Sequence, residues 1–150
     1  MKATVAYYSK TGHSRKIARG IGDALGLPIV DIAKNQVLEP VDSLFIVSGI
    51  YAGKAAPEMM NFVNQLDERT VGKVYLITSS LIGKTFQNDV RDVLTEKGIT
   101  VDPEEFTCRG GFLFFGMSHP NKNEIQGSVE YTAKMMAAQA ASGQNVQSAA

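Results

Sequence analysis

Two hydrophobic periods alternate along the chain. Short runs rich in β-branched and aromatic residues fall at residues 4–8, 28–32, 44–47, 74–78 and 100–106, and the first, third and fourth are apolar almost throughout. Strands buried on both faces have this character. Between and after them, apolar residues recur every three or four positions: Ile17, Ile21 and Leu25; Met59, Phe62, Val63 and Leu66; Phe86, Val90, Val93 and Leu94; Ile125, Val129, Ala133 and Met136. Each set forms one stripe on a helix. Strands and helices in alternation predict a parallel sheet covered on both sides, because right-handed crossovers place the helices on its faces. The expected class is α/β, doubly wound around five strands. Residues 33–42 carry little periodicity and reach Pro40, so the second crossover is expected to be mostly irregular. Residues 143–150 offer no apolar stripe and are expected to fray or extend as a polar C-terminal tail beyond a single domain of residues 1–142.

Composition narrows the classes of function. The chain of 150 residues is 44% hydrophobic and 20% charged, which fits a soluble globular domain large enough to enclose a core. Fifteen Lys+Arg balance fifteen Asp+Glu. No bulk field therefore favours nucleic acid or an anionic membrane, and no apolar run is long enough for membrane insertion. Cys108 is the only cysteine and His13 and His119 the only histidines, which leaves no disulfide and no convincing Cys/His metal site. A reducing, cytoplasmic setting fits, and Met1-Lys2 leads directly into a strand pattern without the features of a signal peptide.

In open parallel sheets, ligands bind beyond the carboxyl ends of the strands, where neighbouring connections leave in opposite directions. After the first strand the chain reads Ser9-Lys10-Thr11-Gly12-His13-Ser14 and enters a helix at once. Three hydroxyls, a glycine and the unpaired N–H groups of a first helical turn suit a phosphate. The plainer alternative is an N-capping Ser14 and a turn-forming Gly12.

The spacing of Ser9, Thr11, Gly12 and Ser14 resembles the first loop of the flavodoxin family, as do Ser48-Gly49-Ile50-Tyr51-Ala52-Gly53-Lys54 after the third strand and the stretch from Cys108 to Asn121. This resemblance implies a five-stranded sheet of order 2-1-3-4-5, FMN as cofactor, and electron transfer with a transient redox protein partner. It places the phosphate at Ser9, Lys10, Thr11, Gly12, His13 and Ser14. The flavin ring would lie between Gly49, Ile50, Tyr51, Ala52 and Gly53 on one side and Ser80, Leu81, Ile82 and Gly83 on the other. Tyr51 is the candidate to stack on the ring. The loop after the fourth strand, Thr78 to Lys84, lacks the family's acidic and aromatic members. Lys54 and Lys84 flank the ring loops, and one cation about 8 Å away would stabilise a reduced, anionic flavin by roughly 2 kcal/mol, or roughly 90 mV, at an effective dielectric near 20. The alternative on the same fold is a flavin-dependent NAD(P)H, quinone or porphyrinogen oxidoreductase; a cofactor-free interaction domain is a third class.

Other motifs weigh less. Thr78 to Thr85 follows the Walker A pattern except that Thr78 stands at its first glycine. Gly20, Gly22 and Gly26 lie within and after a helix, away from a strand-to-helix entry, and read as helix-end and turn glycines. Cys108 has no activating neighbour and reads as a packing residue. Phe112, Phe114 and Phe115 read as a cluster packed on the last helix, and no residue is assigned a catalytic role.

Overall fold

The computed structural model describes residues 2–34, 38–51, 53–80, 87–109 and 122–149. The elements are β1 (Ala3–Tyr8), α1 (His13–Leu25), β2 (Ile29–Asp31), β3 (Val41–Tyr51), β4 (Lys54–Ala55), α2 (Pro57–Asn64), β5 (Val71–Ser80), α3 (Asn88–Glu96), β6 (Thr100–Val101), β7 (Phe106–Arg109) and α4 (Lys122–Ala149). A single 3-10 turn, Ile32–Lys34, follows β2, so the described part of the second crossover is irregular as expected.

The sheet runs β2-β1-β3-β5-β6, with β7 also on β5. Every pairing along it is parallel, and the fifth position of the expected 2-1-3-4-5 order is shared by β6 and β7. The expected fifth strand is therefore interrupted. Asp102 N–H still donates to Val74 O at 2.9 Å, but Pro103 follows and has no N–H to continue the ladder.

Strand alternation sends the core to both faces. Ala6, Leu44, Ile46, Val74 and Leu76 pack with Met59 and Val63 of α2 and Val90 and Leu94 of α3. Val5, Tyr7, Phe45, Val47, Tyr75 and Ile77 pack with Ile17, Ala18 and Ile21 of α1 and Tyr131 and Met135 of α4. Phe45 and Tyr75 stack at 4.7 Å between ring centroids. Gly20 and Gly22 correct the turn reading: both lie inside α1, where a side chain would strike Ile125 of α4 and Ile29 of β2 respectively. Gly26 does end the helix, with φ 66°.

The buried stripe of α4 also differs from the expected one. Ser128, Tyr131, Thr132 and Met135 are buried, Ile125, Val129 and Met136 are half-buried, and Ala133 is exposed. Two hydroxyls can occupy the inner face because each donates to the carbonyl four residues back, Ser128 to Glu124 O at 3.1 Å and Thr132 to Ser128 O at 2.8 Å. The polar residues 143–149, expected to fray or extend, continue α4 as helix.

Candidate functional site

Tyr8, Ser48, Thr78 and Thr107 are register partners across β1, β3, β5 and β7, so four hydroxyl residues line one row near the carboxyl edge of the sheet. β2 lies to one side of β1 and β3 to the other, which makes the ends of β1 and β3 the point where the connections diverge. The loop leaving β1 opens directly into α1. Gly12 caps α1 with φ 95° and ψ −5°, a left-handed conformation that glycine adopts without strain. Its N–H donates to Ser9 Oγ at 2.8 Å, and its carbonyl accepts the first helical bond from Lys16 N–H at 3.1 Å. The N–H groups of His13, Ser14 and Arg15 precede that bond and have no place in the helix ladder. Gly12, as the N-cap, has no side chain to cap them.

Within this loop, Ser9 uses its oxygen as an acceptor for Gly12, and its own O–H stays available to donate. Thr11 Oγ1 and His13 Nδ1 lie 2.6 Å apart. A neutral His13 with its proton on Nδ1 donates to Thr11 and frees the Thr11 O–H for a ligand. Partial burial, reinforced by the charge of Lys16, lowers the pKa of His13 and favours a neutral ring. Ser14 is buried; Lys10 and Thr11 are exposed. The first turn of α1 holds no acidic residue but includes Arg15 and Lys16. Cations there oppose the helix dipole by about 0.3–1 kcal/mol each, a cost that an anion at the helix start offsets.

The second wall differs from the expected loop. Gly49, Ile50 and Tyr51 belong to β3: Gly49 is buried opposite Ser79, while Ile50 and Tyr51 pair with Ala55 and Lys54 of β4. Gly53 turns this hairpin at φ 80°. Ala55 N–H donates to Asp89 Oδ2 at 2.9 Å, which ties the hairpin to α3. Ser80 likewise ends β5, where it pairs with Arg109. Ala52, Leu81, Ile82 and Gly83 lie outside the described residues, as do Lys84, Phe86 and residues 110–121. Thr78, Ser79 and Ser80 are all strand, so the first three positions of the Walker-like pattern are paired in the sheet.

Two buried residues beyond the sequence-predicted set carry polar atoms at or beside the end of β5. Thr78 Oγ1 and Gln87 Oε1 are buried and have no hydrogen-bond partner among the described residues. Such atoms are costly unless a ligand or water meets them. Gln87 Nε2 donates to Ile77 O at 2.9 Å, so its amide lies against the peptide that precedes Thr78. A threonine ending an apolar run was the available signal for the first; nothing in the sequence marks Gln87. A glycine-turned, hydroxyl-bearing loop at a helix start, beside a buried polar strand end, fits a phosphate joined to a ring with hydrogen-bonding edges. Cys108 is buried, and burial, then the nearby Glu124, pushes its thiol up to about 12 against an opposing hydrogen bond with Ser128. It packs rather than attacks. Among the described residues, no group of His, Cys, Asp and Glu could hold a metal ion, and no helix is long and apolar enough to cross a membrane.

This architecture defines a doubly wound α/β protein with a glycine-turned, hydroxyl-bearing loop at its switch point. The family model described as "Flavodoxin domain" matches residues 4–140, and the chain belongs to the flavodoxin family. Comparison with curated proteins finds no match. Among solved structures, a flavodoxin from the domain Archaea superposes with a TM-score of 0.63 at 16% identity, covering 87% of this chain and 92% of that one. The Fusobacterium nucleatum flavodoxin bound to flavin mononucleotide gives 0.60 at 19% identity, covering 89% and 98%. The flavodoxin, WrbA-like protein from Agrobacterium tumefaciens gives 0.63 at 14% identity, covering 89% and 93%. Likeness at these identities speaks for the fold.

Proposed function

We propose that this protein binds FMN without a covalent bond and carries electrons between redox proteins. The observation that supports it most is the 9–14 loop, whose Gly12 conformation and uncapped helical N–H groups stand at the switch point of a flavodoxin-family sheet. The O–H groups of Ser9, Thr11 and Ser14 and the backbone N–H groups of Lys10, His13 and Ser14 would hold the phosphate by charge-assisted hydrogen bonds. Gly49 to Gly53 and Ser80 to Gly83 would bracket the ring, and the Thr78 hydroxyl would supply a polar floor. When bound, FMN takes up and releases electrons singly; the protein's part is to hold it, exclude water and bias its potential.

Titration of flavin-free protein with FMN and with riboflavin, followed by quenching of flavin fluorescence, tests the assignment. FMN should bind at one equivalent and at least tenfold more tightly than riboflavin. Ser9→Ala with Thr11→Ala should erase most of that difference, since each bond to a charged group contributes about 1.5–3 kcal/mol. Equal affinity for the two flavins in the wild type would refute the phosphate loop. Rapid oxidation of added NADH or NADPH by the flavin-loaded protein, with no protein acceptor present, would move the function from carrier to enzyme.

A further inference from the structure

The chain is neutral overall, but its charges are segregated. Residues 1–22 contain Lys2, Lys10, Arg15, Lys16 and Arg19 and no carboxylate before Asp23. Lys2 stands at the amino end of β1, where its backbone N–H donates to Asp42. The other four are exposed at the opposite end: Lys10 in the loop, and Arg15, Lys16 and Arg19 along the outward side of α1, away from buried Ile17, Ala18 and Ile21. The ion pairs Arg69–Asp67, Lys73–Asp102, Arg91–Glu105 and Lys134–Glu104 involve none of the α1 cations. α4 packs along α1 and is balanced over its described side chains, Lys122 and Lys134 against Glu124 and Glu130. The carboxylates gather elsewhere. Asp89, Asp92 and Glu96 lie on α3, which covers the other face of the sheet; Asp102, Glu104 and Glu105 follow it and are matched by Lys73, Lys134 and Arg91. A phosphate dianion held by the loop would offset about two of the four cations and leave the α1 surface positive.

We propose that the surface formed by Lys10, Arg15, Lys16 and Arg19 is where an acidic redox protein docks, guided by charge to the edge of the site. That the partner exchanges electrons rests on the carrier reading above; where it lands rests on the charge distribution. Arg15 and Arg19 are one helical turn apart, so their guanidinium forks can meet neighbouring carboxylates on a partner. With the α1 cations outside those ion pairs, the molecule turns the start of α1 toward an acidic surface before contact.

The test uses two haem proteins of one shape and opposite charge, native horse heart cytochrome c, which is basic, and its succinylated form, which is acidic. Each is added in its ferric state to the oxidised, isotope-labelled protein. No electron moves, and amide chemical shifts report docking alone. Succinylated cytochrome c should shift amides within residues 9–19 and bind at least about tenfold more tightly than the native form at low salt. About 0.3 M NaCl should abolish the preference. The Arg15→Gln, Lys16→Gln, Arg19→Gln variant should lose it while keeping a folded spectrum. Tighter binding of native cytochrome c, shifts centred on residues 88–96, or unchanged affinity in the triple variant overturns the proposal. The assay needs no flavin. A colourless protein that shows the expected shifts removes the carrier reading and keeps the surface, and a yellow protein without them does the reverse.

Discussion

Gly12 shows how much of the site depends on one residue. An added Cβ would meet nothing within 4 Å, so its requirement for glycine comes from φ 95° alone. A left-handed conformation costs an L-residue about 1–2 kcal/mol. Gly12→Ala should therefore lower the melting temperature by a few degrees in a chain of this size and weaken FMN binding, as thermal unfolding and fluorescence titration will show. His13 adds a dependence on pH. Its folded-state pKa lies below 6.5, so the unfolded chain binds the proton more readily. The stability from neutral His13 is complete above pH 6.5 and is lost as pH falls through 6.5 and then through the lowered folded value. Urea unfolding of wild type and His13→Gln should diverge across that window and run parallel above it; parallel curves throughout would remove the effect. The phosphate residues were legible because hydroxyl, glycine and helix start are local in sequence. The stranded oxygens of Thr78 and Gln87 were not, since burial without a partner exists only after strands and helices have packed.

Among the elements, the parallel order and the two layers of helices followed from the alternation of periods, but the ends of strands did not. Residues 48–51 look like a glycine-rich loop by composition, yet pairing with β5 and then with β4 satisfies their backbone groups better than an open loop would. Residues 100–106 read as one strand, so neither the split at Pro103 nor its repair was anticipated. Arg91 Nε and Nη2 donate to Glu105 Oε2 at 3.1 and 3.0 Å, Arg91 Nη2 also donates to Asp102 O at 2.8 Å, and Gln87 N–H donates to Glu105 Oε1 at 3.2 Å. One carboxylate thus stitches the interruption to the start of α3. Glu105→Ala should destabilise the fold by about 1–3 kcal/mol in urea titration, because it takes the acceptor from Arg91 Nε and the Gln87 N–H and leaves Arg91 only Asp102 O. Glu105→Gln, which keeps an oxygen there, should cost less.

For the molecule as a whole, zero net charge concealed a strong asymmetry, because composition sums over faces that the fold separates. The same fold corrects the scale of one electrostatic expectation. Lys54 is exposed on β4, so solvent and salt screen it, and its effect on the flavin should fall from the roughly 90 mV of an unscreened pair to tens of millivolts. Lys54→Gln should make the second one-electron midpoint more negative by that amount, read by anaerobic redox titration; an unchanged midpoint would leave the lysine without influence. The broken edge strand has a practical consequence as well. Pro103 and Glu104 are exposed on the far rim of the sheet, three strands and roughly 14 Å from β1. Closure entropy rises only about 0.6 kcal/mol for each doubling of a loop, so a tether for an electrode spliced there costs little in itself; it must span the break without pulling Glu104 N–H from Asp102 Oδ1 or Glu105 from Arg91.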